Sequence, residues 1–368
     1  MNYSKINNIT GWFCFAIATL TYILTLEPSV SFWDCGEFIA SALKMQVVHQ
    51  PGAPLFLMIQ RFFSLLALGD VTKVAYFMNV GSAVASGATI LFLFWTITAL
   101  AKKILIKDKE EISKANLISI MGAGVVGALA YTFSDSFWFS AVESEVYALS
   151  SLFTAIVFWA ILKWEAHADE PRADRWLLFI AYIMGLSIGI HLLNLLTIPA
   201  IAFVYYFKKT KKATTSGIVK TGLIGILILA FIQYGIIQYL VSFGAYFDLF
   251  FVNTLGFGFG SGVIFFAILL IGGIVWGIRY SIKHQKKILN LALLSTVLII
   301  FGYGSFAMII IRAKADPNLN NSDPDNAFSF LGYLNREQYG DRPLLFGPNY
   351  NSQKVAIKQG KTHYRKGA

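Results

Sequence analysis

Ionisable side chains are what this sequence has least of. Only 14% of its 368 residues are charged, against 56% hydrophobic. That is too little polarity to cover a globular surface, which excludes an ordinary soluble domain and leaves an all-α polytopic membrane protein. The two cysteines, Cys14 in the first apolar stretch and Cys35 in a short acidic segment, lie at different expected depths, so no disulfide is expected. No small-residue cleavage site follows the apolar run 9–26, which is long enough to span and reads as a retained helix. No internal repeat is evident. The formal charge of +10 would suit nucleic acid, but the lysines and arginines fall in short clusters between apolar blocks and form no stripe, which argues against that partner.

Apolar blocks recur at 9–26, 51–68, 74–101, 117–133, 146–162, 176–190, 192–207, 218–241, 261–279 and 288–311, each to be judged against the roughly 20 residues that a crossing needs. The basic loops 102–114 (including Lys107 and Lys109), 163–175, 208–220 and 279–287, together with Lys5, can share the cytoplasmic side only if one early block does not cross. Block 51–68 is the candidate: it is short, carries Pro51 and Pro54 at its start and Gln60 and Arg61 at its middle, and reads as a juxtamembrane helix. The expectation is then a bundle of about nine transmembrane helices with the N-terminus inside. Loops 27–73, 134–145 and 242–260, a turn at His191 and the tail 312–368 fall outside. Eighteen basic residues lie inside in this arrangement, against Lys44, Arg61 and Lys73 in the external loops before the tail. Blocks 176–190 and 192–207 are short and interrupted by Gly185, Gly189 and His191, which fits a tilted pair or one that meets within the bilayer. Residues 1–311 form the transmembrane domain, and 312–368, soluble in composition from Ala315, an external segment that ends in KTHYRKGA without an expected closing element.

Residues 33–56, WDCGEFIASALKMQVVHQPGAPLF, concentrate the chemistry. Asp34 and Glu37 are three apart, so on a helix starting there both carboxylates share a face, and acids beside a membrane are costly without a task. One can take a proton from an incoming hydroxyl while the other orients it or tunes its pKa. The same spacing is also a capping box, with Asp34 as N-cap and Glu37 at the third helical position. His49 suits proton transfer, and equally suits a structural hydrogen bond. Asp34, Glu37 and His49 together leave a divalent cation open, but the spacing matches no recognised ligand signature and no metal is assigned. Trp33 reads as an interfacial anchor. In the second external loop Asp135, Glu143 and Glu145 accompany Trp138; Glu143 and Glu145 either favour a helix dipole or help to hold an acceptor.

The stretch DCGEFIASALKMQVVHQPGAPLF resembles the D-x-G-E … H-x-P-G-x-P-L-F signature of the membrane proteins related to the animal transmembrane O-mannosyltransferase that modifies plexin-type receptors. These belong to the GT-C class of glycosyltransferases, integral membrane enzymes that use a polyprenyl-phosphate sugar. The likeness continues through Asn79 in YFMNVGSA, Glu145 in ESEVYAL, and His191 and Asn194 in GIHLLNLLTIP, and covers most of residues 10–200. It implies a GT-C fold whose acidic first external loop is built on juxtamembrane helices. It makes Asp34 and Glu37 the candidate catalytic bases without choosing between them, and gives Cys35 no chemistry. His49, Glu145, His191 and Asn194 become candidate substrate-binding residues, although helix-to-helix bonding would equally explain His191 and Asn194. A phosphate-bearing donor also needs a cation; Arg312 is the first candidate, ahead of Lys314 and Arg61, against the plainer reading of a snorkelling side chain. Family members run longer than this chain, so the resemblance implies that 312–368 begins a truncated C-terminal region.

The expected function is an inverting transfer of one sugar, plausibly mannose, from a polyprenyl-phosphate carrier to a Ser/Thr hydroxyl of a translocated acceptor protein. The protein is expected to lie in a lipid bilayer, the inner membrane if the source is bacterial, with its active loop on the extracytoplasmic side. A transporter or lipid flippase, and an inactive truncated scaffold, remain as alternatives. Transporters commonly bury their charges at mid-span, whereas the expected spans here are nearly free of ionisable groups.

Overall fold

The apolar blocks become helices in the computed structural model, which describes residues 2–106, 111–340, 343, 345–353, 356, 360, 362, 364 and 367. Lys107, Lys109 and most of the closing KTHYRKGA stretch lie outside the described residues. Helix α1 (Tyr3–Leu24) opens on Asn2, whose side chain accepts from the Lys5 N–H. The acidic segment forms α2 (Cys35–Lys44), ended by Met45 in the left-handed region, and α3 (Pro54–Ser64) carries proline in its first turn. There follow α4 (Val74–Leu105), α5 (Lys114–Thr132), the short α6 (Asp135–Ala141), α7 (Val146–His167) and α8 (Arg175–Ile188). A 3₁₀ turn over Leu192–Thr197 leads into α9 (Ile198–Lys209). Helix α10 (Thr215–Ala230) runs through a π-wound stretch, Phe231–Tyr239, into α11 (Leu240–Asn253). The chain closes with α12 (Ser261–Lys283), α13 (Lys287–Tyr303), α14 (Ala307–Ala313) and α15 (Ala327–Leu334).

Seven helical stretches among the described residues are long and apolar enough to cross a membrane: Tyr3–Leu24, Val71–Leu105, Lys114–Thr132, Val146–His167, Thr215–Asn253, Ser261–Lys283 and Lys287–Ala313. The protein is therefore an all-α, multi-pass membrane protein. The other two expected crossings form the short pair. With 14 residues, α8 reaches only about 21 Å against roughly 30 Å of hydrocarbon, and it meets the 3₁₀ turn at His191. The expected loop 242–260 is a loop only beyond Asn253, because the residues before it continue the α10–α11 helix.

Block 51–68 is the 11-residue α3 followed by a 3₁₀ turn. Its polar middle is taken up in packing: buried Gln60 donates to Ser82 of α4 at 3.3 Å, and Arg61 folds back onto Ser64 at 3.1 Å. Phe62, Leu65, Leu66 and Leu68 stay exposed. A helix with its polar groups tucked inward and an open apolar flank fits an interfacial position.

Residues 312–339 do not stand apart from the bundle. Phe330, Tyr333 and Leu334 join the core that also holds Val47, Val48 and Phe56. Val47 donates to the Leu319 carbonyl at 3.0 Å and accepts from the Asn321 N–H at 3.2 Å, the one β-bridge among the described residues. The Tyr333 hydroxyl donates to the Val48 carbonyl at 2.6 Å. The apolar residues of this segment are used in packing, Tyr333 against the 45–53 loop and Phe330 against Phe306.

Helices α8 and α13 approach most closely where Gly185 faces Gly302 and Ile299. A Cβ on Gly185 would meet the Ile299 carbonyl oxygen at 2.5 Å, and one on Gly302 would meet the Gly185 carbonyl carbon at 2.5 Å. Both obstacles are backbone, so neither can swing aside, and small residues are what permit such contact. Replacing Gly185→Val should therefore destabilise the detergent-solubilised protein by about 3 kcal/mol, measured as a fall in its unfolding midpoint. Gly272→Val, on an open face of α12, should leave that midpoint nearly unchanged.

Candidate active site

The site is organised by the start of α2 and the loop that returns beneath it. Asp34 precedes α2 with helical backbone angles (φ −83°, ψ −2°) and makes no side-chain cap bond, so the capping box allowed by the spacing is not formed. Glu37 is engaged elsewhere. Its Oε1 accepts the His49 backbone N–H at 2.7 Å, and its Oε2 lies 2.7 Å from His49 Nδ1. The other ring nitrogen, Nε2, lies 3.9 Å from Asp34 Oδ2. Phe38 and Phe56 back the imidazole, with Phe38 5.5 Å from His49 and 5.1 Å from Phe56 between ring centres.

This arrangement sets the protonation states. Burial works to raise Glu37, but hydrogen bonds and charge from His49 outweigh it and leave its pKa lowered. The bond to Glu37 raises His49 against the opposing effect of burial, and the charges of Asp34 and Glu145 add to the rise. An ionised Glu37 thus makes Nδ1 a donor and turns Nε2 toward Asp34. The Asp34 carboxylate is 57% exposed, against 27% for Glu37, so it is the more accessible of the two acids.

Two further acids lie close by. Glu145 caps α7, accepting the Val146 N–H at 3.0 Å. Burial, reinforced by Asp34 and Glu143, pushes its pKa up to about 7 against the cap bond and His49. Glu143 is raised by burial too, with Ser31 and Cys35 opposing through hydrogen bonds. Cys35 is fully buried, and burial together with the two glutamates pushes its thiol up. It stays a thiol and has no nucleophilic use.

Asp34, His49, Glu145 and His191 line one cavity of about 430 Å³. His191 accepts the Leu193 N–H on Nδ1 at 3.2 Å, and burial lowers its pKa. Its neutral ring therefore carries hydrogen on Nε2 and acts as a donor. Two expected residues lie elsewhere. Asn194 is fully buried outside the lining, with neither amide atom partnered. Arg312 donates from Nε to the Met45 carbonyl at 2.6 Å and from Nη2 to the Lys44 carbonyl at 3.3 Å. It satisfies the end of α2 and does not face the cavity; the strong acceptors left open where α2 breaks off explain its position.

The cation that does line the cavity is Arg336, exposed and 4.8 Å over the Tyr339 ring. Tyr147, 5.6 Å from the His191 ring, and Gln233 and Gln238 of the π-wound stretch complete the lining used below. A signal for the glutamines existed, since polar residues inside the apolar block 218–241 mark a functional candidate; Arg336 had none. A second, more open cavity of about 700 Å³ adjoins the first, and the two share Gln50 and Asn335 in their linings. Asp34, Glu37 and His49 also offer donor atoms within 4.8 Å of one another, close enough to converge on a divalent cation.

Residues 34–214 match the family model described as the protein O-mannosyl-transferase TMEM260 N-terminal domain. The chain is 25% identical over 199 residues to the protein O-mannosyl-transferase tmem260 of Dictyostelium discoideum, covering 52% of this chain and 22% of that protein. It is 29% identical over 185 residues to the protein O-mannosyl-transferase TMEM260 of Mus musculus, covering 50% and 23%. It thus spans less than a quarter of the length of these curated relatives. No solved structure matches it.

The raised pKa of Glu145 carries a signed consequence. Because its folded value, about 7, exceeds the ordinary 4.5, its contribution is fully present below pH 4.5 and is lost as pH rises through 7. Glu145→Gln keeps a cap acceptor without the charge. At pH 8 the variant should be more stable than the wild type, by up to about 3 kcal/mol, and the two should converge toward pH 5 in denaturant unfolding followed across that range.

Proposed function

Because residues 34–214 make this chain a member of the protein O-mannosyl-transferase family defined by the TMEM260 N-terminal domain, we propose that it transfers mannose from a polyprenyl-phosphate carrier to a Ser/Thr hydroxyl of a translocated protein. The observation that carries this reading is the open carboxylate of Asp34 facing the same cavity as a fixed cation, Arg336. The hydroxyl gives its proton to Asp34 as its oxygen bonds to the sugar's anomeric carbon. The bond from that carbon to phosphate breaks, the configuration inverts, and polyprenyl phosphate departs with its charge met by Arg336. Glu37 touches neither reactant; it holds His49, and His49 holds the position and charge of Asp34. Glu145 and His191 contact the sugar or acceptor from the opposite wall. The acceptor polypeptide enters through the larger neighbouring cavity, and the apolar helices receive the lipid tail within the bilayer. The active loop then lies on the extracytoplasmic side, where lipid-linked donor and newly translocated protein meet.

Asp34→Asn should lower kcat for mannosyl transfer by about 10²–10⁴. Glu37→Gln, acting through His49, should lower it by about tenfold to a hundredfold. Equal activity in wild type and Asp34→Asn would remove the assignment. A second reading rests on the convergence of Asp34, Glu37 and His49: if they ligate a divalent cation, EDTA abolishes transfer and added metal restores it. If His49 is the clamp described above, EDTA leaves the rate unchanged.

A further inference from the structure

The π-wound stretch of the longest helix lies beyond the residues that match the family model. In FIQYGIIQY, residues Phe231–Tyr239, the Leu240 N–H reaches back five residues to the Gly235 carbonyl, the spacing that defines this winding. Such winding gives up α-helical hydrogen-bond geometry and is found mostly where a helix must present particular groups. The groups presented here are amides. Gln233 and Gln238 both line the cavity that holds Asp34 and His49. In an α-helix, at about 100° per residue, side chains five apart point roughly 140° from each other, and only one could face the cavity. Wound with five-residue hydrogen bonds, the chain turns by only about 80° per residue, so side chains five apart diverge by about 50° and both can face it.

The rest of the segment fits that orientation. Phe231, Tyr234 and Tyr239 are exposed on the outside, while Ile232, Ile236 and Ile237 are buried. The Tyr303 hydroxyl donates to the Ile237 carbonyl at 3.4 Å and ties the segment to α13. Neither glutamine side chain has a hydrogen-bond partner among the described residues. Both glutamines are half-buried, with their side chains on the cavity lining, where a ligand's hydroxyls can take the place of water. Each amide both donates and accepts, as does each hydroxyl of a sugar. A phosphate offers only acceptors and a prenyl chain offers neither. Tyr147 on the same lining adds an aromatic ring against which the apolar face of a pyranose can lie.

We infer that the Phe231–Tyr239 segment is the sugar-recognition element of this site, with Gln233 and Gln238 hydrogen-bonding the hydroxyls of the hexose carried by the lipid-phosphate donor. The inference rests on the proposed transferase reading and adds which part of the chain reads the sugar.

The test is equilibrium binding of two probes to the full chain in lipid nanodiscs: a short-chain polyprenyl phosphate, bare and carrying mannose. Wild type should bind the mannosylated carrier more tightly. Gln233→Met and Gln238→Met, close in shape but without the amide, should each reduce that preference about threefold to tenfold, with affinity for the bare carrier unchanged as the control for folding. A double variant that keeps the wild-type preference overturns the inference and leaves the transferase reading standing, as does an effect confined to the KM of an acceptor peptide. A wild type that binds neither carrier overturns both. Should a Met variant lose both probes, Gln233→Asn and Gln238→Asn decide by the same comparison, since they keep an amide and withdraw it by one carbon.

Discussion

Both oxygens of Glu37 are committed to His49, one to its backbone and one to its ring, and the layout of the site follows from that double bond. A single carboxylate fixes where the chain passes twelve residues later and which way the imidazole turns. The loop so closed delivers Ala53 to the start of α3, whose unsatisfied Leu55 and Phe56 N–H groups are taken by the Gly189 carbonyl at 2.8 and 3.3 Å. Gly189 ends α8 and precedes His191. The acidic segment is therefore tied to its loop by the Glu37 side chain, and the juxtamembrane helix to the chain entering the His191 turn by main-chain hydrogen bonds.

Four acids share this corner of the molecule, and four negative charges would repel. The fold distributes them instead. Glu37 is paired with the His49 imidazole, and burial raises the pKa of Glu143 and of Glu145, the latter to about 7. Asp34 is left exposed on the cavity. Acids three positions apart in sequence, and others brought beside them from between α6 and α7, thus come to differ in environment through solvent access and hydrogen bonding alone.

Much of this was legible beforehand. The apolar blocks located the long helices, and the shortness of block 51–68, with Gln60 and Arg61 at its middle, set α3 apart from them. The residues of the acidic segment were legible as a group because acids beside a membrane are costly without a task. Their pairing was not: spacing made Asp34 and Glu37 a capping box, whereas the structure spends Glu37 on a histidine that local periodicity cannot bring near. Arg312, the expected cation, is drawn to main-chain carbonyls, and Arg336, for which nothing was expected, lines the cavity, because long-range packing decides which guanidinium goes where. The π winding was hidden as well, since apolar periodicity over 218–241 looks much the same in either helix type.

The carbonyl clamp on the 45–49 loop has a consequence for biosynthesis. The groups that hold it, Arg312 on Met45 and Tyr333 on Val48, are separated from their acceptors by 267 and 285 residues. While the chain is being made, the acidic segment and its histidine emerge early and remain without this support until residues 312 and 333 have followed. The cavity gains its Gln233, Gln238 and Arg336 lining in the same late interval. A partly inserted chain thus carries the acids before the side chains that line and brace their cavity are in place.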